Sequence, residues 1–305
     1  MYIPWDELEM PFSSTARHFA QVPLEQLNQQ LKILRDWWAI ARWHNHLQDF
    51  QPKVRLFIEK ENYIIKTVES SWELAAALRL RHEVFYQELL GMPMPVGFDM
   101  DEFDLACDHL VIIDKKSRRT VGTYRLLSST FTHHFYSAHE FDISGILALP
   151  GRKLELGRAC IHKDFRNGLV IALLWRGVTQ YVQAIGAKYL FGCSSIQTTN
   201  PDLAAQVCAY LRLNHHTVAE LDLFPQPAHQ IPEFSTFGAR CPSLRPAAQE
   251  SVRRLIPPLL LSYLRSGARV GAEPALDKVF RCIDFITILD TEKLTNTYAR
   301  KFMKC

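Results

Sequence analysis

The sequence Lys153-Leu-Glu-Leu-Gly-Arg-Ala-Cys-Ile-His162, followed by Lys163-Asp-Phe-Arg-Asn-Gly168 and a long apolar segment, decides the fold of this chain. It predicts a buried strand, a glycine-containing turn and the start of a helix, which together present backbone N–H groups to a phosphate. Two ionisable residues, Glu155 and Arg158, lie inside the predicted strand. Such residues are costly to bury unless they are paired or used in chemistry, so both are candidate functional residues.

The segment after the turn has the period of a helix. Its apolar residues recur at helical spacing up to Ile185, and Gly186 is a natural C-cap. A second short apolar strand, Lys188-Tyr-Leu-Phe-Gly-Cys193, comes next. The unit is therefore predicted to be a strand, a helix and a parallel strand, joined by a right-handed crossover.

The composition indicates one large folded domain or two small ones. The chain has 305 residues, of which 48% are hydrophobic, so it can form a substantial core. A formal net charge of +3 is too mild to indicate a nucleic-acid partner. The 7 cysteines are scattered without zinc-type paired spacing, which predicts reduced thiols in a cytoplasmic protein and no metal site. No stretch approaches the roughly 20 apolar residues that a membrane-spanning helix requires.

Residues 1–60 are predicted to be an N-terminal helical extension, and residues 61–305 a separate domain, because alternating strand and helix signals begin only near residue 62. Pro23 opens a helix with one apolar seam. This helix either packs on the core domain or lies at a membrane surface, where its tryptophans would suit the headgroup region. These tryptophans are Trp37, Trp38 and Trp43.

Beyond residue 62 the chain alternates between strand and helix signals. Tyr63 to Val68 is a predicted strand, and a capping box at Ser70 and Glu73 opens a predicted helix from Leu74 to Leu90. A proline-containing loop then carries an acidic cluster made of Asp99, Asp101, Glu102 and Asp104.

The rest of the chain supplies further sheet and helix elements. Two strands, His109 to Ile113 and Thr120 to Leu127, are predicted to form a hairpin in which Arg125 lies among apolar residues. Residues 216–246 contain five prolines and are predicted to be mainly loop. The closing elements are a helix at Pro201 to Leu211, a helix at residues 251–266 and a strand near Phe285 to Leu289.

Several ordered blocks of this sequence carry a family resemblance. They are Arg81-His-Glu-Val-Phe85, Asp99-Met-Asp-Glu-Phe-Asp104, Cys107-Asp-His109, Val121-Gly-Thr-Tyr-Arg-Leu-Leu127, Leu154-Glu-Leu-Gly-Arg158, Leu190-Phe-Gly-Cys193, Glu273-Pro-Ala-Leu-Asp277, Asp284-Phe285 and Tyr298-Ala-Arg-Lys-Phe302. Together they resemble the bacterial L-ornithine N-alpha-acyltransferases of ornithine-lipid synthesis, often labelled haemolysin-like, which belong to the GNAT acyltransferase superfamily. A sparser match, through Phe85 among others, runs to the acyl-homoserine-lactone synthases.

The resemblance implies an α/β fold with a GNAT-like mixed, twisted sheet flanked by helices. It also implies transfer of a 3-hydroxyacyl chain from acyl carrier protein to the alpha-amine of L-ornithine, giving lyso-ornithine lipid. This reaction needs no metal and no permanently bound cofactor, since the donor is the acyl-phosphopantetheine of acyl carrier protein. The expected partners are acyl carrier protein and the amino acid acceptor, in the cytoplasm, with peripheral membrane contact left open.

Glu155 is the candidate base, because it lies in the strand that leads to the predicted phosphate turn and matches the acid of the homoserine-lactone enzymes. In a regular strand Glu155 and Arg158 would point to opposite faces, but a bulge at Gly157 would bring both to one side. The alternative is an ion pair of Glu155 with Arg158 or Arg81 that only stabilises the sheet.

The resemblance assigns substrate binding to Asp101, Asp104, Arg125 and Arg81. The two carboxylates suit an acceptor with two ammonium groups, and Arg125 suits a substrate carboxylate through two parallel hydrogen bonds. The alternatives are a solvated acidic loop for the aspartates and, for Arg125, an ion pair with Asp101, Asp104 or Glu155 that organises the site without touching substrate.

Arg166, Asn167 and Gly168 occupy the predicted phosphate-binding turn, to which the resemblance assigns the pantetheine phosphate. This turn departs from the Gln-or-Arg-x-x-Gly-x-Gly/Ala pattern of the wider superfamily, because Gly168 follows Arg166 too closely and no second glycine appears. The departure favours acyl carrier protein, whose arm has one phosphate, over acyl-coenzyme A as the donor.

Two other functions stay open from the sequence. One is an acyl-carrier-dependent synthase that makes homoserine lactones or N-acyl derivatives of a different amino acid. The other is a non-catalytic, membrane-binding haemolysin-like protein. It would bind lipid through the tryptophan-rich helix and would release no thiol from acyl carrier protein.

Overall fold

The computed structural model describes residues 50–92, 97–234 and 246–293. These residues all belong to one compact unit, Gln48–Cys305. Three of the predicted features lie outside the described residues: the helix opened by Pro23, the prolines of the loop before Asp99, and the closing block from Tyr298 to Phe302. The domain boundary at residue 60 stays a prediction, but the last residues of the predicted helical extension, Phe57–Lys60, form a strand of the sheet.

Ten strands of the described residues form one mixed sheet. They are β1 (Phe57–Lys60), β2 (Tyr63–Thr67), β3 (Asp108–Asp114), β4 (Arg119–Ser128), β5 (Arg152–Ile161), β6 (Ala187–Ile196), β7 (Thr217–Val218), β8 (Arg269–Gly271), β9 (Ala275–Asp277) and β10 (Cys282–Asp290). The strands are hydrogen-bonded in the order β1-β2-β3-β4-β5-β6-β10-β8-β7, and β9 pairs with β10. Neighbouring strands are antiparallel, except that β5 is parallel to β6 and β7 to β8.

Helices flank this sheet, as predicted. In the described part of the chain they are α1 (Ser71–His82), α2 (Ser137–Glu140), α3 (Ser144–Ala148), α4 (Leu169–Ile185), α5 (Pro201–Leu213), α6 (Pro246–Arg253) and α7 (Pro258–Arg265). The first helix continues directly as a π-helix over Glu83–Leu89. Across the described ranges, no helix combines the length and the apolar character needed to span a bilayer.

The strand, helix and parallel strand predicted from the first stretch of sequence are confirmed as β5, α4 and β6. Gly186 ends α4 with φ 62°, a left-handed conformation that glycine adopts without steric cost. The pairing of β5 with β6 runs only from Arg152 to Glu155 on the first strand and from Ala187 to Phe191 on the second. Past these residues a gap opens between two strands in the middle of the sheet.

The two faces of the sheet bury different cores. Leu154 of β5 and Leu190 of β6 pack with α4 on one face. Phe191 of β6 packs edge-on against Phe135 on the other face, with ring centroids 5.2 Å apart. Because successive side chains of a strand point to opposite faces, the residues that border the gap belong alternately to the two cores.

Several predicted elements differ in detail from the observed ones. The helix predicted at residues 251–266 is instead two helices, α6 and α7, because Pro257 and Pro258 lack the N–H donors that a helix interior needs. The capping box is half formed: the Ser70 hydroxyl accepts from the Glu73 N–H at 3.4 Å, whereas the Glu73 carboxylate accepts from the Glu69 N–H at 2.8 Å. The predicted hairpin is confirmed as β3 and β4.

Candidate active site

A cavity of about 370 Å³ lies at the gap between β5 and β6. Its wall includes residues 155–159 of β5 and 190–195 of β6. Trp175 and Leu289 of the wall belong to the core on the α4 side of the sheet, whereas Tyr136 belongs to the core on the opposite side. The cavity therefore reaches both faces of the sheet through the gap, so two substrates could meet there from opposite sides.

Glu155 lies in this wall at the last position of β5 that pairs with β6, and it is 3% exposed. The backbone N–H groups of Tyr136 and Ser137 donate to its two carboxylate oxygens, at 2.9 and 2.6 Å. Burial raises the pKa of Glu155, and the hydrogen bonds from Ser137 and Tyr136 partly oppose this rise. Within the described ranges no side chain forms an ion pair with Glu155, so the structural ion pair with Arg158 or Arg81 is not formed.

The bulge predicted at Gly157 of β5 is present one residue further along, since Gly157 itself keeps a regular partner, Arg125. Arg158 and Ala159 together oppose Tyr124 of β4, because the register of the two strands shifts by one residue there. Arg158 has φ 50°, a left-handed backbone conformation that is uncommon outside glycine. Its guanidinium carbon lies 4.7 Å from the centre of the Tyr136 ring, and Arg158 lines the same cavity as Glu155. The bulge thus brings the two ionisable side chains of the strand to one site.

A buried ion network lies behind the cavity wall, with Arg81 at its centre. The Arg81 Nη1 donates to Asp104 at 2.6 Å, and its Nε donates to Asp99 at 2.7 Å. Burial lowers the pKa of Arg81, but the charges of Asp104 and Asp99 more than reverse that effect and raise it. Burial likewise raises the pKa of Asp104, and the charges of Arg81 and Arg125 outweigh it, so the net shift is downward. All of these groups therefore stay charged, and Arg81 and Asp104 do not line the cavity.

Arg125 connects this network to the cavity. Its Nη1 donates to both carboxylate oxygens of Asp101 at 2.6 Å and lies 3.4 Å from Asp104 Oδ1. Arg158 Nη2 donates to Asp101 at 3.2 Å. Arg125 and Arg158 line the cavity, whereas Asp101 does not. The aspartates predicted to receive a substrate amine thus bind guanidinium groups instead, because buried arginines require compensating carboxylates.

The residues of the predicted phosphate turn (Arg166, Asn167 and Gly168) lie just before α4, outside the cavity wall. Arg166 Nη2 donates to the carboxylate of Glu88 at 2.7 Å. The Asn167 side chain accepts from the N–H of Leu169 at 3.1 Å. Gly168 has φ 84°, and the space in which a Cβ would lie is open. These contacts do not test phosphate binding, which stays a prediction.

A second buried acidic cluster, to which the sequence analysis gave no role, also borders the cavity. Asp277, Cys282 and Asp284 line its wall, and Glu140 neighbours Asp284. The three carboxylate residues are 2 to 4% exposed. Burial, and then the charge of Asp284, raises the pKa of Glu140 well above its ordinary value. An ionisable residue inside the apolar strand β10 is the same signal that singled out Glu155, so Asp284 could have been found from the sequence.

The aspartates of this cluster could also hold a metal ion. Ligand atoms of Asp277, Cys282 and Asp284 all lie within 4.8 Å of one another. Two carboxylates and a thiol form a mixed ligand set that zinc accepts.

The known proteins that this chain resembles in sequence are acyltransferases. Residues 80–176 match the family model of the acetyltransferase (GNAT) domain. The chain is 32% identical over 249 residues to the L-ornithine N(alpha)-acyltransferase of Rhodobacter capsulatus, covering 78% of this chain and 93% of that protein. It is 32% identical over 254 residues to the Rhizobium meliloti enzyme of the same name, covering 78% of this chain and 83% of the relative. The GNAT-like fold predicted from the sequence is thereby confirmed.

Solved structures that resemble this one include acyl-homoserine-lactone synthases. One is the coenzyme A-dependent synthase BjaI with SAM and isopentyl-CoA, with a TM-score of 0.42 and 15% identity over 76% of this chain and 83% of that one. Another is LasI, with a TM-score of 0.43 and 11% identity over 80% of this chain and 95% of that one.

Proposed function

This chain belongs to the L-ornithine N(alpha)-acyltransferase family and is an N-acyltransferase, and we propose that it moves a 3-hydroxyacyl chain from acyl carrier protein to the alpha-amine of L-ornithine. The product would be lyso-ornithine lipid. The observation that carries this proposal is the position of Glu155, a buried carboxylate at a gap that the cavity uses to reach both faces of the sheet. Membership of an enzyme family sets aside the non-catalytic haemolysin-like alternative.

Glu155 supplies the base in this mechanism. The amine nitrogen attacks the thioester carbonyl carbon, the new C–N bond forms, the C–S bond breaks, and the sulfur leaves as a thiol after it takes up a proton. The carboxylate accepts a proton from the acceptor amine, and its raised pKa brings it closer to the working pH than an ordinary glutamate. The N–H groups of Tyr136 and Ser137 hold both oxygens in place and leave lone pairs for the amine.

Backbone N–H groups at the gap would stabilise the negative charge that develops on the carbonyl oxygen of the thioester. β5 and β6 are unpaired past Glu155 and Phe191, so N–H groups on their facing edges have no partner in the neighbouring strand. Alternate N–H groups of a strand point to each edge, and such fixed donors stabilise an oxyanion. The gap is thus the place where the thioester carbonyl would be held.

Arg125 and Arg158 bind the acceptor carboxylate in this proposal. Both guanidinium groups line the cavity on the same side as Tyr136, with their central carbons 5.3 and 4.7 Å from its ring centre. The two guanidinium groups are positioned by residues outside the cavity wall that do not bind substrate in this proposal: Asp101, Asp104 and Arg81. Arg166, Asn167 and Gly168 hold the donor phosphate at the start of α4, where free N–H groups and the helix dipole favour an anion.

Purified protein with L-ornithine and a 3-hydroxyacyl thioester tests the proposal. The donor is supplied either on acyl carrier protein or on coenzyme A, thiol release is followed, and the product is identified by mass spectrometry. We expect N-acyl-ornithine, formed faster from acyl carrier protein. A product with a different amino acid from a mixture of acceptors would replace ornithine in the proposal, and equal rates with both donors would remove the preference for acyl carrier protein.

A further inference from the structure

We propose that Glu140, Asp277 and Asp284 form the subsite for the side-chain ammonium group of the acceptor, so that this cluster makes the enzyme select a dibasic amino acid. The inference rests on the proposed function, because it concerns the acceptor of that reaction. It assigns a role to residues that the mechanism above does not use.

The charge balance of the cluster is the first observation. The three aspartates of the loop before β3 form ion pairs with three buried arginines. In contrast, no cationic side chain of the described residues forms an ion pair with Glu140, Asp277 or Asp284, although all three are at least 96% buried. Burial and the neighbouring carboxylates raise the pKa values of Glu140 and Asp284, and the two side chains hydrogen-bond to each other, which requires a proton at the pair. An ammonium group from the substrate would take the place of that proton.

An unpartnered oxygen is the second observation. The Oε2 atom of Glu140 is buried and has no hydrogen-bond donor within reach, whereas the carboxyl group of Glu140 as a whole hydrogen-bonds with Asp284 and Tyr136. By comparison, Asp277 Oδ1 accepts from the N–H groups of Val279 and Phe280 at 2.6 and 3.0 Å, so this residue is already oriented by its own loop. An alkylammonium group has three donors and no acceptor, which matches a site rich in carboxylate oxygens.

The position of the cluster relative to Glu155 is the third observation. Cys193 Sγ lies 3.6 Å from the hydroxyl of Ser137, whose N–H holds Glu155. Asp284 of β10 is paired with Ser195 of β6, which is two residues from Cys193 and therefore on the same face of the sheet. Cys193 therefore neighbours both the proposed base and the acidic cluster. One cavity thus offers a base, two guanidinium groups and a set of carboxylates, which complement the alpha-amine, the carboxylate and the side-chain amine of one acceptor.

The test compares two acceptors that differ only in the side-chain amine, L-ornithine and L-norvaline, with the acyl thioester that the wild type uses. Asp284→Asn keeps the size of the side chain and removes its charge. We expect the ratio of kcat/KM for ornithine to that for norvaline to fall roughly 30-fold or more in this variant, the effect of losing one partner of a buried charge pair. Glu140→Gln, a second variant, should lower the same ratio, so the test does not depend on one variant folding.

Asp114→Asn is the matched control, because Asp114 is also a buried aspartate but accepts hydrogen bonds from Ser117 in the β3–β4 turn. Its acceptor ratio should equal that of the wild type. An unchanged ratio in folded Asp284→Asn and Glu140→Gln would overturn this inference and leave the acyltransferase proposal intact. A wild type that acylates neither acceptor would overturn the proposed function, and the inference with it. Tight zinc binding that Asp284→Asn abolishes, with the ornithine preference kept, would assign the cluster to a metal instead.

Discussion

At the scale of a single residue, opposing effects set the pKa of Glu155. Its burial disfavours the charged form, whereas two backbone N–H groups favour it, and the net pKa is raised. A base must be deprotonated to work, so activity should fall as the pH decreases through this raised pKa. We expect the acidic limb of the kcat/KM profile to lie above the ordinary glutamate value of about 4.3.

Glu155→Gln should lower turnover at least roughly tenfold and remove this acidic limb, because the amide cannot accept the proton. The measurement is kcat/KM over a range of pH for both proteins. Unfolding by urea should show that the variant is folded, since the amide oxygen of Gln can still accept from one of the two N–H groups, although its NH2 group cannot accept from the other. Unchanged turnover in a folded variant would remove Glu155 from the mechanism.

Arg81 stabilises the molecule without touching the cavity. Arg81→Met should reduce the free energy of unfolding by about 3–5 kcal/mol, since it leaves Asp99 and Asp104 buried without their central cation. Denaturant unfolding measures this loss. The matched control is Lys115→Met, which removes an exposed ion pair with Glu59. This variant should lose no more than about 1 kcal/mol of the free energy of unfolding. Equal losses in the two variants would contradict the role given to the network.

Ionisable residues in apolar strands indicate where the cavity lies, but not all of the residues with which they form ion pairs. Both Glu155 and Arg158 lie at the cavity, and the alternative in which Arg125 pairs with Asp101 or Asp104 is confirmed. The contacts of these aspartates with Arg81 of α1 and Arg158 of β5 were not predicted. Those contacts join residues up to 57 positions apart in the chain, so no local pattern records them. The N–H donors to Glu155 come from an aromatic and polar segment without a clear period, which the sequence analysis left unassigned.

At the scale of the elements, β5 and β6 still lie close together at Leu156 and Gly192, the first residues past their paired segment, where the gap begins. A Cβ on Gly192 would lie 2.3 Å from the carbonyl oxygen of Leu156, so β5 passes too close for any side chain there. Gly192→Ala should force the strands apart and lower the free energy of unfolding by about 1–3 kcal/mol. Thermal or denaturant unfolding checks the loss.

Gly157→Ala is the control, because it lies on the other side of the same gap and its Cβ would meet only Arg125 Nε at 3.6 Å, an ordinary contact. This variant should unfold close to the wild type. If both alanine variants are equally stable, the close approach at Gly192 does not constrain the two strands.

Elements with a strong period were predictable, and those fixed by tertiary contacts were not. The repeat of apolar residues located β5, α4 and β6, and Gly186 located the end of the helix. β8 and β9 have three residues each, too few to show an alternation, and they exist because β10 supplies hydrogen-bond partners. The break at Pro257 was visible in the sequence, but the apolar residues on both sides of it suggested one continuous helix.

At the scale of the whole molecule the cavity joins two cores. Its lining combines residues from the π-helix, from the turn before α2, from α4, from α7 and from five strands, so the sequence could not predict its shape. On the α4 side the wall is apolar, and Trp175 packs edge-on against Tyr263 with ring centroids 5.3 Å apart. On the other side it carries the charged groups that the acceptor would need. We therefore expect the acyl chain to occupy the α4 side and the amino acid to occupy the opposite side.

Filling the apolar side should shorten the acyl chain that the enzyme accepts. Leu289→Trp adds bulk to the wall on β10, where the leucine is 4% exposed, and such overpacking costs about 1–3 kcal/mol of stability. Leu190→Phe is a milder variant on β6 with the same expected direction. Mass spectrometry of the products from a mixture of thioesters should show a shift to shorter chains in both variants, with the preference for ornithine unchanged. Leu213→Trp, an exposed position at the end of α5, is the control and should keep the wild-type distribution. If the acyl-chain distribution stays the same while the preference for ornithine changes, the amino acid and not the acyl chain occupies the α4 side of the cavity.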